Sequence, residues 1–199
     1  MPFQVSAILL AAGSSRRMGR LKQLLSLGNK TVIRRCLDAI LLSGVMDIIV
    51  VAGEGTIEMV NALKDLPVKL VLNPYPESDM AESARIGLCE VNAGSSGIMV
   101  CLSDHPLVKA ETLLTLIQIH REDPDRVIVP MFNGRRGHPT LFPRPVIREI
   151  RDAPTLRYVV YRIPERMRAV EVPDEGVVLD MDTPEEYRMV MEKLRRTDR

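Results

Sequence analysis

Ile8-Leu9-Leu10-Ala11-Ala12-Gly13-Ser14-Ser15-Arg16-Arg17-Met18-Gly19-Arg20-Leu21-Lys22 begins as an unbroken apolar run and ends as a basic, glycine-bearing turn. The apolar half predicts a strand covered on both faces, because a half-exposed strand would alternate polar and apolar residues instead. A strand that feeds small residues puts backbone N–H groups at the rim of a sheet, free to point at an anion. Ala11, Ala12, Gly13, Ser14 and Ser15 let a phosphate approach the main chain, and Arg16, Arg17, Arg20 and Lys22 add positive charge. Neither standard phosphate fingerprint fits. Gly13 and Gly19 stand one residue too far apart for G-x-x-x-x-G-K-[ST], Arg20 follows them, and G-x-G-x-x-G is absent. Taken alone, the stretch also reads as a strand followed by a basic surface turn.

Outward from this point, strand and helix alternate. Residues 31–42 carry Val32, Ile33, Cys36, Leu37, Ile40 and Leu41 on one helical stripe, with Gly44 as the stop. Residues 47–52 form a β-branched run, 58–64 a short helix, 68–72 a third strand, and Asp79 with Glu82 a capping-box start for a helix through Leu88. Residues 98–102 make a fourth strand, followed by an amphipathic helix to about His120. Residues 127–129 and 140–142 flank Asn133-Gly134, which predicts a hairpin rather than a crossover. Helices near 146–151 and 156–162 follow, then a last strand over 177–179. Thr183-Pro184-Glu185-Glu186 supplies a cap, a proline at the first helical position and a capping-box glutamate for a C-terminal helix. Repeated β-α units with short links predict an α/β protein with three layers (α/β/α) and a mostly parallel mixed sheet.

The 199 residues suffice for one filled core and are short for two domains, and no linker or repeat divides them, so one domain over 1–199 is expected. A formal charge of +1 argues against a general nucleic-acid binder. Cys36, Cys89 and Cys101 lie scattered in apolar segments without metal-ligand spacing, which predicts buried free thiols in a reducing compartment. The first apolar run is too short to span a bilayer and lacks a positively charged leader, so a cytoplasmic protein without a membrane partner is expected.

Ligands of an open α/β sheet bind at the carboxyl ends of its strands. After the fourth strand comes Ser103-Asp104-His105-Pro106, where a carboxylate either holds a divalent cation or caps a turn. After the last strand comes Asp180-Met181-Asp182; an extended chain would turn both carboxylates the same way, so either could reach an ion opposite Asp104. The plainer role for Asp182 is support of the helix N-terminus.

Leu10-Ala11-Ala12-Gly13-x-Ser15-x-Arg17-Met18-Gly19-x-x-Lys22 resembles the signature loop of nucleotidyltransferases related to molybdenum-cofactor guanylyl- and cytidylyltransferases. Other segments resemble the same family in order: Asp104-His105-Pro106 its D-x-P motif, Gly137-His138-Pro139 its G-H-P, and the run from Asp180 to Tyr187 its acidic ending. Asn73-Pro74 through Ser83-x-Arg85-x-Gly87 resembles its base-binding stretch, with Asp79 where glycine is usual.

The resemblance implies a Rossmann-like nucleotidyltransferase in which an acceptor oxygen attacks the α-phosphorus of a nucleoside triphosphate and pyrophosphate leaves. It implies nucleotide contacts from Leu10, Ala11, Ala12, Gly13, Ser15, Arg17, Lys22 and Ser83, with Arg17 and Lys22 catalytic. It further implies Mg²⁺ on Asp104 and Asp182, with Asp182 ahead of Asp180, and His105 and His138 on the acceptor side. Ala12, where guanylyl members usually have glycine, is similar to the cytidylyl pattern. CTP and a molybdopterin-type acceptor are therefore expected, with a molybdoenzyme or its chaperone as recipient. A sugar phosphate or other phosphorylated metabolite is the alternative acceptor, and a non-catalytic cofactor-insertion protein the alternative class. Retention of Lys22 with both acidic segments speaks against the latter, since binding alone needs no aligned α-phosphate.

Overall fold

The run that opens the sequence becomes β1 (Val5–Ala11), buried along its whole length. In the computed structural model, which describes residues 4–13, 21–53, 56–75 and 79–197, β1 is flanked on both edges by parallel strands. On one side is β4 (Asp47–Ala52), with β5 (Lys69–Leu72) beyond it; on the other is β6 (Gly97–Leu102). Leu10 sits opposite Val51 on one edge and Leu102 on the other, so β1, β4 and β6 end level. Past β6 the sheet turns antiparallel through β9 (Thr140–Pro143), which lies between β6 and β7 (Val127–Phe132). β10 (Met167–Glu171) runs parallel to β7 at the outer edge.

Period-two alternation sorts the core into two layers. Ala7, Leu9 and Ala11 face α1 (Val32–Leu42), α2 (Thr56–Leu63) and α4 (Ala110–Glu122) through residues such as Leu37, Met59 and Leu116. Ile8 and Leu10 face the other way, toward α3 (Met80–Leu88), α5 (Arg144–Asp152) and α6 (Leu156–Tyr161) through Ala84, Ile150 and Val159. This is the expected three-layer, mostly parallel sheet. A third cluster lies apart: α7 (Pro184–Thr197) lays Val190 and Leu194 on Leu25, Leu27, Val32 and Met181, around a small hairpin of β2 (Ser26–Leu27) and β3 (Lys30–Thr31).

The expected turn chemistry is present. Asp79 accepts from Glu82 N at 2.8 Å to start α3, and Thr183 Oγ1 accepts from Glu186 N at 3.2 Å to start α7. Asn133 (φ 47°) and Gly134 (φ 75°) turn β7 into β8 (Arg135–Arg136), since left-handed φ at both central residues matches the twist of a tight hairpin. The returning chain leaves the ladder at 137–139, with a cis bond between His138 and Pro139, and rejoins it as β9.

Two expectations are corrected. Residues 177–179 are not a strand: Glu175–Val178 is a 3₁₀ turn. Burial, not pairing, explains the apolar run, because Val177 is fully enclosed while β10 already fills the outer edge of β7. Asp174 shapes the turn by accepting from Gly176 N at 3.0 Å, and Gly176 is packed so closely that a Cβ there would lie 2.3 Å from Leu107 O. Second, Cys36 and Cys101 are buried free thiols but Cys89 is exposed, because it caps the end of α3 where the helix leaves the core.

Candidate active site

The strand order reverses at β1: the chain proceeds from β1 to β4 and β5 on one side, then returns to lay β6 on the other. Such a switch point opens a crevice at the carboxyl ends of the two diverging strands. Leu10 and Ala11 are the last residues of β1, and Ala12 and Gly13 leave the sheet there. Gln23, fully buried, fixes this exit by donating from Nε2 to Ala11 O at 3.1 Å and Gly13 O at 3.4 Å. Ser103 N donates to Leu10 O at 3.1 Å, so the residue before Asp104 is tied to the strand that precedes Gly13. Ser15 and Arg17 fall outside the described residues.

Lys22, Asp104 and Asp182 meet at this crevice. Lys22 Nζ donates to Asp104 Oδ2 at 2.8 Å and to Asp182 Oδ1 at 2.7 Å. Lys22 opens a short 3₁₀ turn (Lys22–Leu24), Asp104 follows β6, and Asp182 precedes α7. Glu186 orients Asp182 by accepting from both Asp182 N and Thr183 N at 2.8 Å, so the capping box of α7 also sets a site residue. Asp180 is exposed, whereas Asp182 is bonded to Lys22.

His105 extends the cluster. Its Nδ1 lies 2.9 Å from Asp104 Oδ1, and an ionised carboxylate requires Nδ1–H to donate there, leaving Nε2 to point elsewhere. The His138 ring meets the His105 ring edge-on, with centroids 5.2 Å apart. His105 therefore adjoins Asp104, and His138 adjoins His105. The main chain at His138 is held from outside the sheet, its N–H donating to Val177 O at 2.8 Å. Gly137 permits this approach, since a Cβ there would lie 2.1 Å from Val177 O.

The electrostatics follow from this geometry. Burial pushes the Asp104 carboxyl up, but the His105 hydrogen bond and the Lys22 ammonium outweigh it and hold the group well below the usual carboxylate range. Burial pulls Lys22 down, yet Asp104 and Asp182 together raise it above the ordinary lysine value. At neutral pH the three are one buried cation between two carboxylates. His138 is pushed down to about 4, first by burial and then by His105, so its ring is neutral at physiological pH. Cys101 is pushed up to about 12 by burial, and Cys36, beside Ser103 O at 3.6 Å, is raised by burial as well; neither is a ready nucleophile.

Ser83 stands apart from this cluster. Buried on α3, its Oγ accepts from Asn73 Nδ2 at 2.8 Å, while Asn73 Oδ1 accepts from Tyr75 N at 2.9 Å and Asn73 N donates to Ala52 O at 2.7 Å. Ser83 thus orders the turn after β5. Two residues escaped sequence reasoning. Gln23 follows the lysine without any motif of its own. Asp174 is buried and accepts from Lys109 N at 2.9 Å and Thr112 Oγ1 at 2.6 Å, capping α4 from 65 residues away. Only a fold could reveal that cap.

Two carboxylates that converge on one nitrogen form a hard-oxygen donor set with a net negative charge, which could hold a divalent cation together with phosphate oxygens and water. The cationic Lys22 supplies a donor for a phosphate, and the exit of β1 supplies backbone N–H groups.

Residues 7–170 match the family described as "MobA-like NTP transferase domain". The nicotine blue oxidoreductase of Paenarthrobacter nicotinovorans is 28% identical, over 94% of this chain and 96% of that protein. The molybdenum cofactor cytidylyltransferase of Escherichia coli is 22% identical, over 95% of this chain and 96% of its own. Among solved structures, Rv0371c from Mycobacterium tuberculosis superposes with a TM-score of 0.82 at 29% identity, covering 96% of this chain and 99% of that one. The same protein has also been solved as a complex with manganese, at a TM-score of 0.78 and 26% identity over 96% of this chain and 100% of that one.

Proposed function

The chain belongs to the MobA-like NTP transferase family, a family of nucleotidyltransferases, and from that premise we propose that it transfers CMP from CTP to a molybdopterin-type acceptor. The observation that carries the proposal is the seat of Lys22 Nζ on both Asp104 and Asp182 at the switch point of the sheet. Such a reaction needs little covalent help from the protein; positioning and charge neutralisation dominate. A phosphate oxygen of the acceptor attacks the α-phosphorus, the new O–P bond forms, and the bond to the β-phosphate oxygen breaks with the electron pair leaving on pyrophosphate.

In this reading the backbone of Ala12 and Gly13 cradles the triphosphate, with Gln23 keeping that exit in place. Arg17 and Ser15 reach the triphosphate, Arg17 neutralising the departing pyrophosphate. Lys22 donates to the α-phosphate as charge builds there. Ser83 acts on the base indirectly, by holding Asn73 and the turn to Tyr75. His105 and His138 line the acceptor side. Asp104 and Asp182 would hold Mg²⁺, whose hard-oxygen preference fits this pair and which neutralises phosphate charge when bound. An acceptor that attacks through an anionic phosphate needs no general base, in keeping with a His138 held neutral and low. The methyl of Ala12, at the mouth of the crevice, narrows the space for a base and supports a pyrimidine. Release of the product to a molybdoenzyme or its chaperone completes the reading.

Pyrophosphate release with Mg²⁺ and molybdopterin, measured against CTP, GTP, ATP and UTP in turn, tests the proposal. The expected result is turnover with CTP that is lost without metal. Turnover with GTP in preference to CTP refutes the base assignment, and turnover only with sugar phosphates refutes the acceptor.

A further inference from the structure

The chain has a formal charge of +1, yet that charge is unevenly spread: residues 144–168 hold seven arginines against three acids and no lysine. Part of the excess lines a groove of about 930 Å³, including its open mouth, between α5 and the end of α3. Arg144, Ile147, Arg148 and Arg151 of α5 form one wall. Their i, i+3, i+4, i+7 spacing keeps them on a single helical stripe, with neighbours about 5–6 Å apart at Cβ. Leu88, Val91 and Ile98 form the floor, which is the edge of the core. The groove opens at the amino end of β6, where Gly97 pairs with Pro143 of β9. Asp104 follows the carboxyl end of the same strand, about 20 Å away, so the groove is separate from the crevice.

Most polar groups in the groove are already engaged. Arg144 Nη1 donates to Ala93 O and, at 3.1 Å, to Ser95 O, clamping the loop after α3 onto α5. Within that loop Gly94 N donates to Asn92 Oδ1 at 2.8 Å, Ser95 N to Asn92 O at 3.0 Å, and Asn92 N to Asp47 Oδ2 at 2.9 Å. Arg148 and Arg151 differ. Both are exposed, and among the described residues no carboxylate lies within ion-pair distance of either, since Glu149 turns instead to Arg162 and Arg166. What would complete the groove is negative charge beside apolar surface. An open groove encloses little of a small molecule, and small-ligand sites bury most of their ligand. Arginine beside apolar contacts, without lysine, is the pattern of protein interfaces.

We infer that this groove docks an acidic segment of a partner protein, with carboxylates on Arg148 and Arg151 and an apolar side chain on Leu88, Val91 and Ile147. A nucleic-acid backbone would meet the arginines but leave the apolar floor uncovered. A partner held at the amino end of β6 leaves the crevice at its other end open.

Random peptides displayed on phage, selected on the full chain and counter-selected on R148E/R151E, supply the probe. The enriched peptides should carry Asp or Glu beside Leu, Ile or Phe. They should bind the double variant about ten- to hundredfold more weakly, the loss expected for charge-assisted contacts, and R148K/R151K should keep part of the affinity. Thermal midpoints of both variants should match the wild type, because the two side chains are exposed. Cys89 lines the groove and is exposed while Cys36 and Cys101 are buried, so a bound peptide should slow maleimide labelling of Cys89. Failure to enrich any peptide, or enriched peptides that lack acidic residues, bind both proteins alike or leave Cys89 labelling unchanged, overturns the inference. Duplex DNA bound more tightly than every selected peptide, or a dimer of the chain that shields Cys89 and dissociates in R148E/R151E, gives the groove another occupant and overturns it as well.

Discussion

Lys22→Met removes the cation that bridges Asp104 and Asp182 while keeping most of the side-chain volume. The lysine side chain is 9% exposed and its partners 22% and 33% exposed, so the pair is neither a surface ion pair nor a fully buried one. Breaking a fully buried pair costs about 3–5 kcal/mol and a surface pair well under 1 kcal/mol. The intermediate exposure of the two carboxylates places the loss at about 1–2 kcal/mol, or roughly 3–6 °C in thermal midpoint for a chain of this size. The variant leaves two carboxylates facing each other, and a divalent cation can take the place of the lost ammonium. Millimolar Mg²⁺ should therefore raise the midpoint of Lys22→Met by more than that of the wild type. Turnover should fall about 100- to 1,000-fold without recovery, because a cation on the carboxylates does not supply the donor to the α-phosphate. The pH dependence has a definite sign. Asp104 is depressed in the fold, so its contribution is present above the ordinary carboxylate pKa and is lost as pH falls through its lower folded value. Lys22 is raised, so its contribution is complete below the ordinary lysine pKa and is lost only as pH rises through the higher folded value. The ion cluster is intact across the neutral range, and thermal scans with and without Mg²⁺ at neutral pH read it cleanly. A Lys22→Met protein with wild-type midpoint, wild-type Mg²⁺ response and wild-type turnover would refute the reasoning at every step.

Asp174→Ala should cost about 2–4 kcal/mol in urea unfolding, since it strands the donors of Lys109, Thr112 and Gly176, while leaving nucleotide affinity unchanged. His138 sits at about 4 in the fold against 6.5 for an ordinary histidine, so between those values the unfolded chain binds more protons and stability falls as pH drops. Replacing it by Gln should flatten stability between pH 6.5 and 4 in urea titrations. Gly137→Ala should lower the thermal midpoint and raise the acceptor KM, because the added Cβ would lie 2.1 Å from Val177 O and push the chain at His138 out of place. Ala12→Gly should shift the ratio of kcat/KM toward GTP relative to CTP, measured by pyrophosphate release.

The layered α/β sheet was legible because β1 and β4 are enclosed on both faces and their helices expose one clear polar stripe, so burial and periodicity coincide. Where they part, the sequence misled. Val177 is as buried as any strand residue but lies under a turn drawn together by Asp174, a contact whose partner at Thr112 is distant in the chain. β10 escaped notice for the opposite reason: its residues are half-buried or exposed, none fully buried, and among the described residues it pairs with β7 alone. Among the candidate site residues, Lys22, Asp104 and Asp182 all stood in motifs, and the sequence reading already put Asp182 ahead of Asp180; what it did not show is the Glu186 side chain reaching back to the N–H groups of Asp182 and Thr183. Alternation placed both carboxylates alike, whereas in the fold Asp180 is exposed and Asp182 lies on Lys22.

The family match ends at residue 170, yet Asp182 lies beyond it, and the packing shows why the site needs that last piece. Leu25, three residues after Lys22, and Met181, immediately before Asp182, belong to the same small apolar cluster under α7. A carboxylate 160 residues away is thus brought to 2.7 Å from the lysine by side chains adjacent to both partners, not by the sheet. Asp104 arrives independently, from the end of β6 and fastened to β1 through Ser103. The crevice at the switch point therefore provides one wall and the α7 cluster the other, with Lys22 at the seam. The energy that aligns the charges comes from apolar contacts at Leu25, Leu27, Val190 and Leu194, at a distance from the phosphate chemistry they serve. A strong ionic cluster would be a poor organiser, since desolvation offsets much of its attraction. Burial of those side chains holds the register; under the proposed function, that would leave the lysine and the carboxylates free to exchange partners when a charged substrate enters.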